Sequence, residues 1–309
     1  MLKHISVLLK ESIDMLNVTP GKVYIDATLG RGGHSSEILK RLKGDGLLLS
    51  FDRDDSAIKN SFPTLKAINS NFKLIHANFS ELKSELLKQN INHVDGIIFD
   101  LGVSSPQLDD GNRGFSYNYD ARLDMRMDKN QKLDAYYVVN NYSKERLIEI
   151  FYKYGEEQFS KKIAENIIKK RKISPIETTF QLVEIIKQSL PEFRKKQKGH
   201  PAKQVFQAIR IEVNNELEEL KSALVQALDL LNKNATLSVI TFHSLEDRIV
   251  KQIFNEKTKQ ISTPKNLVDL NQKDIEFVLV NKKPILASQE EIENNNRAHS
   301  AKLRGIRRI

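Results

Sequence analysis

The 309 residues contain no cysteine. Disulfides, thiolate metal sites and any reaction that needs a cysteine nucleophile are therefore excluded. Long apolar runs are missing too: none approaches the ~20 residues of a membrane span. The first residues, MLKHISVLLKES, lack the apolar core and small-residue cleavage site of a secretory signal, so a cytoplasmic location and no membrane partner are expected. The seven histidines are scattered without ligand spacing, and no metal site is expected. Internal repeats are absent. What is present suits a globular chain: 39% hydrophobic and 29% charged residues, over a length that can form one large domain or two ordinary ones. Lys and Arg outnumber Asp and Glu by 49 to 40, which favours a polyanionic partner. The location of that excess matters more than its total. Residues 109–213 hold 21 basic and 15 acidic residues, so they carry +6 of the net +9.

Residues 26–35, DATLGRGGHS, are the most informative stretch. They follow the apolar run Val23-Tyr24-Ile25 and precede a helix-like segment with Ile38, Leu39 and Leu42. Strand, glycine-rich turn and helix in that order bring a backbone close to a nucleotide-like ligand. The spacing departs from the dinucleotide fingerprint, because Ser35 replaces the third glycine and Asp26 stands four residues ahead of Gly30. Acid-x-x-x-Gly-x-Gly resembles the first motif of Rossmann-like methyltransferases, whose ligand is S-adenosylmethionine. For such an enzyme the missing cysteine has a further consequence. Covalent methylation at carbon 5 of cytosine is closed, and a nucleobase target would be an atom that already carries a lone pair.

Four strand-like segments come early: residues 22–27, 46–51, 73–77 and 94–99, each ending near a polar residue (Asp26, Asp52, Asn78, Asp100). Helix-like segments lie between them, so the pattern predicts an α/β fold with a parallel sheet and ligand groups at the carboxyl ends of the strands. Asp52 follows Gly32 by 20 residues, the distance at which a second-strand acid reaches a ribose hydroxyl pair. The alternation then stops. Residues 109–130 read as an ordered loop, and the apolar pattern from Lys144 to Lys172 is helical with an interruption near Gly155. A stripe from Val205 to Leu231 predicts one long amphipathic helix. The sheet resumes at 236–242, a helix follows at 245–254, and 275–280 with 301–309 look like a final strand pair. A discontinuous Rossmann-like domain (1–108 and 214–309) interrupted by a helical insertion (109–213) is the expected organisation.

The resemblance becomes specific at DLGVSSPQL (100–108) and RGFSYNYDARLDMRMD (113–128). With HISVLLKE at 4–11, YGEEQFSKKIA at 154–164, HPAKQVFQAIRIEVNNEL at 200–217, TFHSLEDRIVK at 241–251 and NNRAHSAKLRGIRR at 295–308, it spans the chain. These motifs resemble the RsmH (MraW) family of small-subunit rRNA methyltransferases. One departure stands out, His299 where that family usually has arginine. The resemblance implies transfer of a methyl group from S-adenosylmethionine to the exocyclic N4 of a cytidine in the decoding centre of 16S rRNA, with the small ribosomal subunit as partner. It leaves the oligomeric state open, a homodimer included. It also implies a class I methyltransferase fold with an inserted, mainly helical domain.

Carried over position by position, the resemblance implies that Gly32, Gly33, His34, Asp52, Phe79, Asp100 and Gln107 bind the cofactor. His34 alone could instead cap the helix that follows. The acceptor chemistry suggests roles for the loop after the fourth strand. A cytosine amine is a poor nucleophile because its lone pair is delocalised, and fixed hydrogen-bond acceptors would free that lone pair. Asp100, Ser105 or a backbone carbonyl of Ser104-Ser105-Pro106 is the candidate acceptor, while a merely stiff turn is the alternative. Arg113, Phe115, Arg122 and Arg126 suit a flipped-out base and its phosphates, unless Asp120, Asp124 and Asp128 pair with the arginines simply to order the loop. The basic run 194–198 is a further candidate RNA contact. His243, Ser244, Glu246 and Asp247 do not form a triad, since no nucleophile elbow is present; His243 and Arg248 are expected on the RNA side. Two other readings stay open, an NAD-dependent dehydrogenase and a non-catalytic RNA-binding assembly factor.

Overall fold

Short runs of branched and aromatic residues, bounded by glycine or polar residues, form the strands. The first five are β1 (Lys22–Asp26), β2 (Gly46–Asp52), β3 (Phe72–His76), β4 (Val94–Asp100) and β5 (Leu231–Thr241). The computed structural model describes residues 6–196, 199–259 and 275–309, without the side chains of Ser105 and Pro106. Among the described residues, β6 (Phe277–Leu279), β7 (Ile285–Leu286) and β8 (Lys302–Arg308) complete one eight-stranded sheet of order β3-β2-β1-β4-β5-β8-β6, with β7 also paired to β8. β1 to β5 run parallel; β8 is antiparallel to β5, and β6 and β7 are antiparallel to β8. The chain moves outward from β1 to β3, then crosses back to β4. That reversal opens the crevice at the strands' carboxyl ends in which α/β sheets bind ligands.

By internal contacts the chain divides into two compact units, Met1–Gly102 with Leu217–Ile309, and Val103–Glu216. In the first unit, alternate residues of each strand face opposite layers. Tyr24, Leu48 and Ile98 pack with the helices Leu9–Leu16, Gly33–Leu42 and Asp55–Lys66. Ile25, Leu49, Phe51, Ile97 and Phe99 pack with the helices Leu82–Lys88, Glu216–Leu230 and Ser244–Thr258. The sheet is thus covered on both faces, as a parallel sheet requires.

The second unit has its own core around Leu123, Val138, Leu147, Phe151, Ile163, Leu182 and Ile209. Its helices include Lys144–Gly155 and Ser160–Arg171, broken where the glycine interrupts the apolar stripe, and Lys203–Asn214. The single long helix expected from Val205 to Leu231 is instead two helices. Asn215 adopts φ 49°, the left-handed conformation that ends a helix, and its N–H reaches back to the Glu212 and Ile211 carbonyls. The apolar spacing continues across the break, so periodicity alone does not register it. Leu231 belongs to β5, which starts five residues before the expected 236. The Ser-Ser-Pro stretch read as a turn forms a short helix, Ser105–Asp109.

Gly155 lets the helices Lys144–Gly155 and Lys203–Asn214 approach closely, since a Cβ there would lie 2.6 Å from the Gln204 carbonyl oxygen. Gly155→Val is expected to destabilise the protein by about 1–3 kcal/mol, the usual cost of overpacking. Urea unfolding followed by circular dichroism measures this, and an unchanged midpoint would show that the two helices are free to separate.

Candidate active site

Register brings the polar strand ends together. Asp26 pairs with Ser50 and Ile98, and Asp52 and Asp100 end the flanking strands β2 and β4. Asp26 is fully buried and both its oxygens are engaged. Oδ1 accepts the Thr28 N–H (3.1 Å) and Oδ2 accepts the Ser35 hydroxyl (2.6 Å), whose oxygen also lies 2.8 Å from Ser50 Oγ. A glycine at position 35 would leave that carboxylate short of a donor, which accounts for the departure from the dinucleotide pattern. The Thr28 hydroxyl in turn accepts the Asp100 N–H at 2.7 Å and ties the ends of β1 and β4. Neither Thr28 nor Ser50 was foreseen; their only sequence signal is a hydroxyl beside a buried acid.

The turn itself needs glycine at two positions. Gly30 (φ 52°) and Gly32 (φ 74°) are left-handed. Gly32 caps the helix Gly33–Leu42 without any side-chain acceptor, so the first N–H groups of that helix have no side-chain cap. The capping role considered for His34 is therefore not the one it plays. His34 lies inside the helix, 3% exposed, with Nδ1 3.7 Å from Asp100 Oδ2.

Asp52 anchors the turn from the second strand. Its Oδ2 accepts the Gly30 N–H at 2.9 Å and its Oδ1 the Asp54 N–H at 2.8 Å. Each oxygen keeps a second lone pair, which is what a ribose diol needs. Burial pushes the Asp52 carboxyl up to about 6, against the opposing pull of those two N–H groups. Phe79 follows β3 on the short 3-10 turn Phe79–Glu81, edge-on to Phe99 with centroids 5.7 Å apart. The Arg53 guanidinium, held by Glu219, lies 5.7 Å from the Phe79 centroid.

Asp100 is the second perturbed acid. Burial pushes it up to about 6, with Asp26 and Glu246 adding repulsion and His34 opposing it. Its Oδ1 and the Nε2 of His34 are buried polar atoms without a hydrogen-bond partner. Two carboxyls raised by burial at the tips of the parallel strands that flank β1 are the kind of perturbed pair that clusters at functional sites. The orphaned atoms, the uncapped glycine turn and the spare lone pairs of Asp52 are polar groups that S-adenosylmethionine would satisfy. His243 and Glu246 form a capping box on the helix Ser244–Thr258, and Asp247 pairs with Arg304 (2.7 Å) and Lys302 on β8. Arg248 is exposed on that helix.

The second unit uses its loop arginines for structure. Arg113 is 7% exposed and donates to the Arg126 and Met127 carbonyls, while Phe115 is 5% exposed in the unit's core. Arg126 grips Asp124 with two 2.8 Å bonds and donates to the Lys129 and Gln131 carbonyls. Burial works against it, yet Arg126 holds Asp124 below the usual carboxylate range. Arg113 and Arg126 thus order the loop, the alternative weighed for them, while Arg122 donates to Asp134 (2.6 Å) and Phe115 packs in the core. Asp120 and Asp128 do not pair with them; they accept the Phe180 and Asn130 N–H groups. Gln107, 6% exposed, accepts the Ser104 N–H at 3.0 Å. The Ser105 side chain and residues 197–198 of the basic run lie outside the described residues.

A sheet of five parallel strands with an antiparallel β8 beside β5, and a glycine turn anchored by acids at the strand tips, have the architecture of a class I methyltransferase. The chain belongs to the MraW methylase family, whose model matches residues 1–309. It is 55% identical over 306 residues to the ribosomal RNA small subunit methyltransferase H of Mycoplasma mycoides subsp. mycoides SC, covering 97% of each chain. Identity to the protein of the same name from Streptococcus dysgalactiae subsp. equisimilis is 51% over 310 residues, covering 99% of this chain and 98% of the other. An rRNA methylase structure from Streptococcus thermophilus aligns with TM-score 0.44 and 11% identity, covering 100% of this chain and 99% of that one.

Because the ribose needs an ionised acceptor, ligand binding should favour the Asp52 anion and release protons near pH 6. Binding of S-adenosylhomocysteine is expected to be about tenfold weaker at pH 5 than at pH 7, with proton release visible in calorimetry across buffers. Asp52→Asn should remove its share of both effects. A pH-independent Kd would rule out this role for Asp52.

Proposed function

We propose that the protein transfers a methyl group from S-adenosylmethionine to the exocyclic N4 of a cytidine in the decoding centre of 16S rRNA. The name shared by two relatives that match nearly the whole chain supports the substrate. A cytoplasmic location, with the small ribosomal subunit as partner, follows from that substrate; no helix among the described residues is long and apolar enough to cross a membrane. One structural observation carries the chemistry: Asp100, at the tip of β4, ends in a carboxylate whose Oδ1 has no hydrogen-bond partner.

When bound, S-adenosylmethionine supplies a methyl group on a sulfonium, which needs a nucleophile but no acid to activate it. The chain's task is to make an amide-like amine nucleophilic. An ionised Asp100 accepting an N4–H bond draws the nitrogen toward tetrahedral geometry and takes up the proton lost as the N–C bond forms. Aligning donor and acceptor supplies the larger share, on the order of 7–11 kcal/mol for well-oriented reactants. Val103–Glu216, which contains much of the basic excess, serves rRNA recognition. Its basic Arg194–Lys196 stretch, exposed at Lys196 and half-buried at Arg194 and Lys195, is a candidate for phosphate contact.

Asp100→Ala at saturating S-adenosylmethionine is expected to lower turnover on small subunits by about 100-fold or more, the range of a lost general base. Ser105→Ala, assayed beside it with cofactor affinity measured for both, separates the two candidate acceptors. Full turnover in both variants would overturn the reading of this loop. Nucleoside mass spectrometry of rRNA from cells lacking the protein should show one N4-methylcytidine missing, and an unchanged nucleoside profile would overturn the assigned activity.

A further inference from the structure

His34 and Asp100 are unusual together. The imidazole sits on the first turn of the helix Gly33–Leu42, the carboxylate at the end of β4, and Nδ1 lies 3.7 Å from Oδ2. The His34 side chain is 4% exposed, against 26% for Asp100. The carboxylate therefore has access to a ligand and the imidazole stands behind it. Each residue also carries a buried polar atom with no partner, His34 Nε2 and Asp100 Oδ1. Buried imidazoles normally satisfy both nitrogens, and here Nδ1 faces the Asp100 carboxylate. That choice sets the tautomer. A proton on Nδ1 faces a carboxylate, whereas a proton on Nε2 would face nothing able to accept it.

We propose that His34 is a positioning residue for the methyl transfer: its Nδ1–H faces Asp100 Oδ2 and keeps that carboxylate ionised and oriented toward the acceptor amine. The inference rests on Asp100 being the group that accepts the amine proton. It assigns the His34 side chain to Asp100 rather than to the cofactor. The surroundings explain why such a partner is needed. The groups acting on Asp100 are His34, Asp26 from the end of β1 and Glu246 from the helix Ser244–Thr258. Two of the three are acids that disfavour a second negative charge beside them, and burial acts in the same direction. His34 alone among them favours the anion. Without it, the balance at Asp100 shifts toward the protonated acid, which cannot accept another proton from the amine.

The signs give the test. Turnover that needs ionised Asp100 falls as pH drops through the Asp100 pKa, so the wild-type acid limb of kcat is expected near the value of about 6 at which Asp100 stands. His34→Leu removes the donor and should move that limb upward. Turnover at pH 6.5 is expected to fall about threefold relative to wild type and at pH 5.5 about eightfold, while turnover at pH 8.5 stays nearly unchanged, as for a limb displaced by about one pH unit. His34→Asn, whose amide N–H reaches the position of Nδ1, should return the limb close to wild type. His34→Gln, whose donor reaches further, should not.

An equal loss of turnover at every pH, with the limb unmoved, would overturn the proposal. So would a matching loss of S-adenosylhomocysteine affinity at pH 8.5, which would make His34 a cofactor contact. If His34→Leu does not fold, the Asn and Gln variants decide, and identical limbs in both overturn the proposal. Asp100→Asn separates this from the reading beneath it. Retention of turnover and of the acid limb in Asp100→Asn refutes Asp100 as the acceptor. Loss of the limb there, combined with no shift in the His34 variants, refutes only the role of His34.

Discussion

The Ser35 hydroxyl, wedged between the Asp26 carboxylate and the Ser50 hydroxyl, is the interaction on which the cofactor turn depends. A fully buried carboxylate is tolerable only when its oxygens are supplied with donors. Those donors come from the turn after β1 and from the first turn of the helix that follows. Satisfying Asp26 therefore pins both sides of the glycine turn against β1 and, through Ser50, against β2. Thr28 extends the constraint to β4 by accepting the Asp100 N–H. Three strand ends are thus held by one short chain of hydrogen bonds, and the two acids that face the ligand project from that framework.

Those two acids share a cost that the fold does not relieve. Asp52 and Asp100 both stand near 6 because burial removes water from their charged forms. Their unfolded counterparts would ionise near 4, so each disfavours the folded state at neutral pH. That penalty is absent below about pH 4 and reaches its full size above about 6. Structural carboxylates in the same protein behave the opposite way. Asp124 and Asp247 are each held below the usual range by arginine despite burial. Of these four acids, the two with a guanidinium partner build the scaffold, and the two raised by burial stand at the strand tips where the proposed function places the ligand.

How much of this was readable in advance differs sharply between the two units. Strand ends at Asp26, Asp52 and Asp100 followed from apolar runs stopping at polar residues, because a parallel strand buried on both faces leaves little ambiguity. The final strand pair was legible as well, with Phe277–Leu279 antiparallel to Lys302–Arg308. In the loop from Asp109 to Asn130 the same kind of reasoning left two roles open. An arginine and a phenylalanine near a methyl donor look like groups for a base, yet Arg113 is bound to backbone carbonyls and Phe115 is core. Residue type cannot tell a guanidinium that ties a loop together from one that meets a phosphate. That distinction depends on which carbonyls the fold leaves unpaired nearby.

By itself the sequence determined the class of fold, the cofactor turn and the identity of the acids at the strand tips, since these follow from local spacing and from hydrophobic runs a few residues long. It also determined the family, through motifs distributed from end to end. Only the tertiary structure decided that the stripe from Val205 to Leu231 breaks at Asn215, because a left-handed residue leaves the apolar period intact. Only it placed His34 behind Asp100, since those residues come from elements more than sixty positions apart. Partnering of buried polar atoms is a long-range property. A side chain's chemistry is written in its own residue, but its partner is chosen by whatever packing brings alongside it.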